Sequence, residues 1–480
     1  MQVQQGDAMR RRTKIVATLG PASWDEATID RLIEAGADVV RINLSHGERH
    51  EHVRTIAGVR TVSARRGVPV AIMIDLPGPK LRLGHLSQPV ELVAGERVEF
   101  GEGASLPLSD PSLLAHLLPG QQVLINDGAI ALVAESLATA GTSPRAVLRV
   151  VDGGVVTSRK GVNLPDTVLD VPTLTAEDED HLAFGLAQDV DFVAQSFVRG
   201  APDVLRLKEL IDAAGGDQMV VAKIEKREAL AAIDDILQVA DAVMVARGDL
   251  GVEIPQAEVP IWQKRLIRAA VRAGKPVITA TQMLQSMMTS PRPTRAEVSD
   301  VANAIYDSTC AVMLSGETAA GSYPVESVAT MARIAETVED GMQRETRAPQ
   351  KWALYLEDIS GAISYGACDV ARKVGAAAII TATASGATAR NVAKYRPRQA
   401  IVAVSPSPRT VRQLCLTWGV IPLAGSRADA ADGVVTEGVA RAFEAGLVRT
   451  GESVVVTAGV QVEAGATNLI EARVVPKSFS

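Results

Sequence analysis

The sequence predicts a (β/α)8 (TIM) barrel with an inserted small β-barrel domain and a C-terminal α/β domain. Three observations carry that expectation. Eight short β-branched runs alternate with helical stretches from Thr13 to about Asp340, the rhythm of a parallel sheet covered by helices. The third and fourth runs start 122 residues apart, roughly 90 more than one helix and two loops need, so something is inserted there. Beyond about Asp340 a fresh alternation of strands and helices begins.

In chain order, the first three runs are "TKIVATLG" from Thr13, "VVRINLSH" from Val39 and "PVAIMIDLPG" from Pro69. Between about Gly84 and Pro172 the pattern changes to alternating short strands, with hairpin signals "NDG" at Asn126 to Gly128 and "DGG" at Asp152 to Gly154. The barrel pattern then resumes with "DFVAQSFV" from Asp191, "MVVAKIE" from Met219, "DAVMVARGD" from Asp241, "PVITATQM" from Pro276 and "TCAVMLSGET" from Thr309. The last region carries "AAAIITAT", "AIVAVS" and "ESVVVTAG". The expected division is a flexible start over 1–12, a barrel over 13–83 and 173–340, a β domain over 84–172 and an α/β domain over 341–480. An open doubly wound sheet is the alternative for the eight runs.

Composition narrows the function classes. A chain of 480 residues with a formal net charge of −7 has no general attraction for polyanions, which argues against nucleic acid. Three widely spaced cysteines, Cys310, Cys368 and Cys415, suggest neither a disulfide framework nor a zinc cluster, and fit a reducing cytoplasm. No run is long enough to span a bilayer, and the polar start lacks the apolar stretch of a signal peptide.

In a barrel of this kind the strand ends converge on one bowl, and the endings here are chemical: Arg41, Asn43, Ser45 and His46; Asp75; Ser196; Lys223 and Glu225; Asp249; Thr281; Glu317. Residues two apart on a strand share a face, so Lys223 and Glu225 enter the same mouth, either as a structural ion pair or as part of a site. Glu225 and Asp249, on adjacent strands, form a carboxylate pair suited to Mg2+ (or Mn2+), which leaves positions for water and substrate oxygens. The N–H groups near Gly248 and Asp249 can receive a carboxylate, and Thr281 can add a hydroxyl. Arg41 and Arg82 can each grip phosphate bidentately. Metal, carboxylate pocket and lysine together suit a small phosphorylated oxyacid whose enolate must be stabilised.

The motifs "TKIVATLGPAS", "RINLSHG", "KGVNLP", "AKIE", "MVARGDLGVEIP", "ITATQML", "PTRAEVSDVANAIYD" and "LSGETAAGSYPVE" occur in the order found in one family, and the chain resembles pyruvate kinases over nearly its whole length. The resemblance implies transfer of a phosphoryl group from phosphoenolpyruvate to ADP, giving pyruvate and ATP. It also implies a mobile β lid, an α/β regulatory domain and a homotetramer. It assigns Lys223 to neutralising the phosphoryl group in flight and the enolate oxygen, and Glu225 and Asp249 to the metal. Ser196, Gly248, Asp249 and Thr281 fall to substrate binding, with Thr281 in the protonation relay and Glu317 as another candidate proton donor. Arg41 and Arg82 fall to the phosphoryl oxygens, Asn43, His46 and Pro21 to the nucleotide side, and Asp127 and Lys160 to the lid.

Two stretches depart from or refine the family pattern. In "MIDLPGPKLRLG" Leu76, Pro77 and Lys80 replace the usual Thr, Lys and Glu. Members with Glu there generally need K+ near the residues matching Asn43, Ser45, Asp75 and Leu76; a fixed ammonium at Lys80 can supply that charge, so activity without K+ is expected, unless Lys80 points to solvent. In the last region Thr383, Ser385, Gly386 and Thr388 precede a helix and form a cradle for one phosphate. The late loop "GVQVEAGATN" offers Glu463 and no cation, so a monophosphate effector, a sugar monophosphate or AMP, is expected over a bisphosphate. A Mg2+-dependent lyase or aldolase and a catalytically silent effector-binding paralogue are the rival readings.

Overall fold

The computed structural model describes residues 11–140, 143–167, 171–344, 358–426, 431–459 and 467–478. Eight parallel strands close into a ring: Lys14–Leu19, Val39–Asn43, Ala71–Leu76, Phe192–Gln195, Met219–Ile224, Ala242–Ala246, Val277–Ala280 and Ala311–Leu314, each beside its sequence neighbour and the eighth paired with the first. All eight arise from the runs expected of them. The open-sheet alternative falls with the pairing of Lys14 to Ala311.

Side chains alternate about the ring wall. Val16, Val39, Ala71, Met73, Phe192, Ala194, Val221, Met244, Ile278 and Met313 fill the interior, while residues of opposite parity, such as Ile72, Ile74, Leu76 and Val243, pack outward against the helices. The same inward parity continues up the strands to Thr18, Arg41, Asp75, Ser196 and Lys223. The interior therefore turns from apolar to polar toward the strand ends, and one alternation both packs the core and delivers the site. The floor is closed from outside the barrel: Cys415 and Leu416 join the interior cluster.

The segment after the third strand folds as a five-stranded antiparallel sheet in the order Val162–Asn163, Gln122–Ile125, Ile130–Ala140, Ser143–Asp152, Arg97–Gly101, with a ribbon of Val90–Leu92 and Gly154–Val156. Its own core includes Phe100, Leu106, Leu114, Ile125 and Leu148. "NDG" makes a hairpin turn, with Asn126 and Asp127 at φ 57 and 55. "DGG" does not. There the chain runs on from Ser143–Asp152 into Gly154–Val156, which changes partner to Val90–Leu92, and a Cβ on Gly153 would lie 2.3 Å from the Leu92 carbonyl oxygen. Close backbone approach, and not a turn, is what that glycine serves.

The last region is a sheet in the order Val420–Ala424, Ala400–Ser405, Ala378–Ala382, Ser453–Ala458, Leu469–Val474, parallel except for the final strand. It docks on the barrel floor through ions: Asp191, held within the barrel by Arg60 Nη2 at 3.0 Å, receives Arg412 Nε at 2.6 Å, and Arg409 pairs with Asp189. Of the expected flexible start, residues 1–10 lie outside the described residues, but Arg11 and Arg12 are held. Arg11 binds Asp38 at 2.8 Å, while Arg12 donates from its backbone to Glu339 at 2.7 Å and stacks over Trp418. These partners lie far away in sequence, which is why a polar start reads as loose. Glu463 lies outside the described residues.

Candidate active site

The fifth strand and its neighbours build the centre. Lys223 Nζ lies 2.8 Å from Glu225 Oε1 and 3.2 Å from Asp75 Oδ1, and donates to Ser196 Oγ at 2.6 Å. Asp75 accepts from Arg41 Nε on its other oxygen at 2.7 Å, and Arg41 also reaches Thr18 Oγ1 at 3.0 Å. Glu225 Oε2 accepts from the Phe197 N–H at 3.0 Å. All of these side chains are nearly inaccessible. Burial alone would push the Lys223 ammonium down, but Asp75, Glu225 and Asp249 together outweigh it and hold the group protonated well above its usual range. Asp249, in the first turn of Arg247–Glu253, is pushed up to about 6 by burial and by the like charge of Glu225.

Two carboxylates held close together out of water favour a cation beside them. Among the described residues no group of three or more His, Cys, Asp or Glu could cage a metal, so Glu225 and Asp249 could hold one only with substrate and water completing its shell. That donor set fits Mg2+.

Asp249 opens on a cavity of about 640 Å3 lined also by Arg41, Asp75, Lys223 and Thr281 at one end and by Pro21, Trp24, Asn43 and His46 at the other. Ala320 lines it too. The predicted metal, substrate and nucleotide residues thus largely share one space. Asp127, at the hairpin tip of the β insertion, lines a small adjoining cleft with Lys80, Glu225 and Asp249. The His46 imidazole is pushed down by partial burial and by Arg82, Lys80 and Arg41, so these cations surround the mouth.

Some expected residues are placed otherwise. Glu317 is fully buried and its two oxygens accept from the backbone N–H groups of Leu284, at 3.0 Å, and Ser315, at 2.8 Å, so it braces two loops and lies off the cavity wall. Arg82 and Lys160 sit at the root of the β insertion, where Arg82 Nη1 is drawn to the Arg159 carbonyl at 3.1 Å and the Lys160 carbonyl accepts from Leu83. The Leu76 side chain faces the outer shell, so only its backbone could touch a monovalent ion. The Gly248 N–H, expected to receive a carboxylate, donates to Thr281 Oγ1 at 2.7 Å. Ser45 donates from its backbone to Asn43 Oδ1 at 3.2 Å. In the α/β domain Thr383, Ser385, Gly386 and Thr388 do share one turn, yet Thr383 Oγ1 is spent on the Gly386 N–H at 2.9 Å, and Thr388 is buried against Thr467 at 3.0 Å.

Residues that the sequence reading left without a role hold the site in place. Thr281 and Gln282 take φ 71 and 56, uncommon for residues with side chains. Arg247 secures that turn by donating to the Thr281 carbonyl at 2.8 Å while its guanidinium pairs with Asp300 at 2.7 Å. Asp178 accepts from the Gly78 N–H at 3.0 Å and so fixes the loop that carries Lys80, and Trp24 walls the nucleotide end. An Arg immediately after a buried strand was the available signal for the first; a lone Trp and a helix-start Asp give none.

A closed barrel with such a mouth defines a phosphotransferase of the barrel class. Residues 10–328 match the family description "Pyruvate kinase, barrel domain" and residues 361–472 match "Pyruvate kinase, alpha/beta domain". The chain is 44% identical to a pyruvate kinase of Geobacillus stearothermophilus over 97% of its own length and 81% of the relative's. Likewise it is 41% identical to one of Clostridium acetobutylicum over 97% and 100%, and 45% identical to pyruvate kinase 2 of Synechocystis over 98% and 80%. The chain belongs to the pyruvate kinase family. No helix among the described residues is long and apolar enough to cross a membrane.

Proposed function

We propose that the chain transfers the phosphoryl group of phosphoenolpyruvate to ADP, giving pyruvate and ATP, with Mg2+ (or Mn2+) and without K+. The observation that carries this reading is Lys223, clamped among Asp75, Glu225 and Ser196 at the wall of a cavity that also holds Asp249 and Thr281. Bound Mg2+ would supply Lewis-acid neutralisation of the enolate and phosphoryl oxygens, held by Glu225 and Asp249. Lys223 Nζ offers a permanently charged donor to the migrating group, stabilising charge that develops in the transition state. Arg41, braced by Asp75 and Thr18, presents the rest of its guanidinium to phosphoryl oxygens. Thr281 Oγ1 stands beside the Gly248 N–H, where it can orient a carboxylate and pass a proton toward the enolate carbon.

Independence from K+ is supported by charge already present. Both Asp75 oxygens meet cationic side chains, and Lys80, though an exposed residue, flanks the cleft between Glu225, Asp249 and Asp127. Regulation by a sugar monophosphate or AMP at the turn of Thr383 to Thr388, tetramer formation and a cytoplasmic setting complete the proposal; for the effector, the turn must first release Thr388 from Thr467. A coupled assay of pyruvate formation, in Mg2+ buffer free of K+ and Na+, tests the core of it. Turnover that needs no added K+ supports the reading, whereas absence of pyruvate under all ion conditions refutes it and leaves the lyase and silent-paralogue readings.

A further inference from the structure

A second cavity lies on the opposite side of the barrel from the mouth, in the seam between the barrel floor and the α/β domain. It opens to solvent, has an interior of only about 10 Å3, and is lined by Lys275, Arg390, Lys394 and Arg396 together with Cys310, Thr417 and Trp418. No carboxylate lines it among the described residues. The nearest acid whose field reaches Lys275 and Arg390 is Asp241, and that carboxylate is already bound by Lys208 at 2.9 Å and by the Val220 N–H at 2.9 Å.

Three atoms here lack a protein partner: Arg396 Nε, Arg396 Nη1 and Thr417 Oγ1 are buried and unbonded. Thr417 is only 3% exposed. Native proteins leave few such groups, because each loses its water without gaining a replacement. The arrangement is also held in place at a cost. Arg396 takes φ 50, its guanidinium lies over the Trp418 ring at 4.4 Å, and its remaining nitrogen donates to the Ser308 carbonyl at 2.7 Å. Burial pushes the Lys275 ammonium and the Arg390 guanidinium down from their usual ranges, and Asp241 only partly opposes it.

We propose that this seam binds an oxyanion, either inorganic phosphate or the phosphoryl group of a monophosphorylated metabolite, with Lys275, Arg390 and Arg396 as its cationic contacts and Thr417 Oγ1 as a neutral hydrogen-bond partner. The interior has room for about one water, so the seam widens to seat the phosphoryl group, and any organic remainder extends outward. Because Lys275 belongs to the barrel, entering the seventh strand, while Arg390 and Arg396 belong to the α/β domain, the anion bridges the two. The site is separate from the turn of Thr383 to Thr388 but touches it, since Arg390 Nη2 donates to the Ser385 carbonyl at 3.1 Å.

The test is titration of inorganic phosphate, and in parallel of a hexose 6-phosphate, into the full-length protein without Mg2+. Binding is followed by calorimetry, and the melting temperature is recorded at ionic strength matched with chloride. Wild type, Thr417→Val, Lys275→Gln and Ser385→Ala are compared, so that any phosphate held at the active site is common to all four. Expected are saturable binding at the seam and a rise in melting temperature, both weakened about tenfold in affinity by Thr417→Val and by Lys275→Gln, the scale of losing one charge-assisted contact. Without phosphate both variants should melt at or above wild type, since each removes an uncompensated group; a purely structural threonine or lysine would instead lower the melting temperature equally with and without phosphate. Ser385→Ala should leave the seam signal unchanged, which separates this site from the effector turn. Response to inorganic phosphate alone identifies the free ion, and response to both identifies a phosphoryl reader. The proposal is overturned if phosphate does no more than chloride, or if binding is undiminished in both seam variants.

Discussion

Replacing Lys223 by Met removes the ammonium while keeping most of the side chain's length and apolar bulk. Three contacts vanish together: 2.8 Å to Glu225, 3.2 Å to Asp75 and 2.6 Å to Ser196 Oγ. Asp75 keeps Arg41, and Glu225 keeps the Phe197 N–H, so neither acid is stranded and the barrel should still close. Breaking one member of a buried, hydrogen-bonded charge cluster costs about 2–5 kcal/mol, and loss of one preorganised donor to transition-state charge alone is worth roughly 10²–10³ in kcat. We expect turnover to fall by about 10³ or more. Mg2+ binding should hold or tighten, because a positive charge beside Glu225 and Asp249 has gone. Steady-state assay of pyruvate formation, paired with Mn2+ binding followed by electron paramagnetic resonance, reads the two effects separately. Turnover within a few-fold of wild type would refute the assignment of Lys223, and loss of metal binding in step with turnover would show that the lysine merely organises the carboxylates.

Four further outcomes are expected. Lys80→Glu should make activity depend on added K+, measured as the ratio of rates with and without it; equal rates in the variant would show that Lys80 does not stand in for the ion. Mg2+ affinity should be full above about pH 6 and fall toward tenfold per pH unit below it, since Asp249 is raised to about 6 in the metal-free site and must shed its proton to bind; an affinity flat from pH 7 to 5 counts against that carboxylate as a ligand. Arg247→Met should release the Thr281 turn, lowering kcat by roughly tenfold to a hundredfold with little change in metal affinity, a modest loss of the kind that misplacement produces. Asp191→Asn should strip Arg60 and Arg412 of their shared partner and cost about 3–5 kcal/mol, seen as a lower melting temperature.

Much of the candidate site's placement was legible because a barrel strand encodes two things in one alternation. Once the eight runs are recognised, the parity that puts Val221 inside also puts Lys223 inside, and the strand-end letters enumerate the bowl. The reading failed where function depends on which way a side chain turns after its strand has ended. Glu317 carries the right chemistry just past a strand end, but backbone N–H groups nearby capture it before it reaches the cavity. Leu76 likewise follows Asp75 by one residue and, by the same parity rule, faces the opposite side of the wall.

By itself, then, the sequence determined the barrel, the insertion after its third strand, the following α/β domain and the grouping of Lys223, Glu225 and Asp249, because period-two patterning and strand-end chemistry are local properties. Tertiary structure alone decided that Asp75 is shared between Arg41 and Lys223, that Arg11 and Arg12 are anchored, that Cys415 and Leu416 plug the floor, and that four cations face one another across the seam. Each of those joins residues whose separation along the chain carries no periodic signal, so it exists only once the domains have docked.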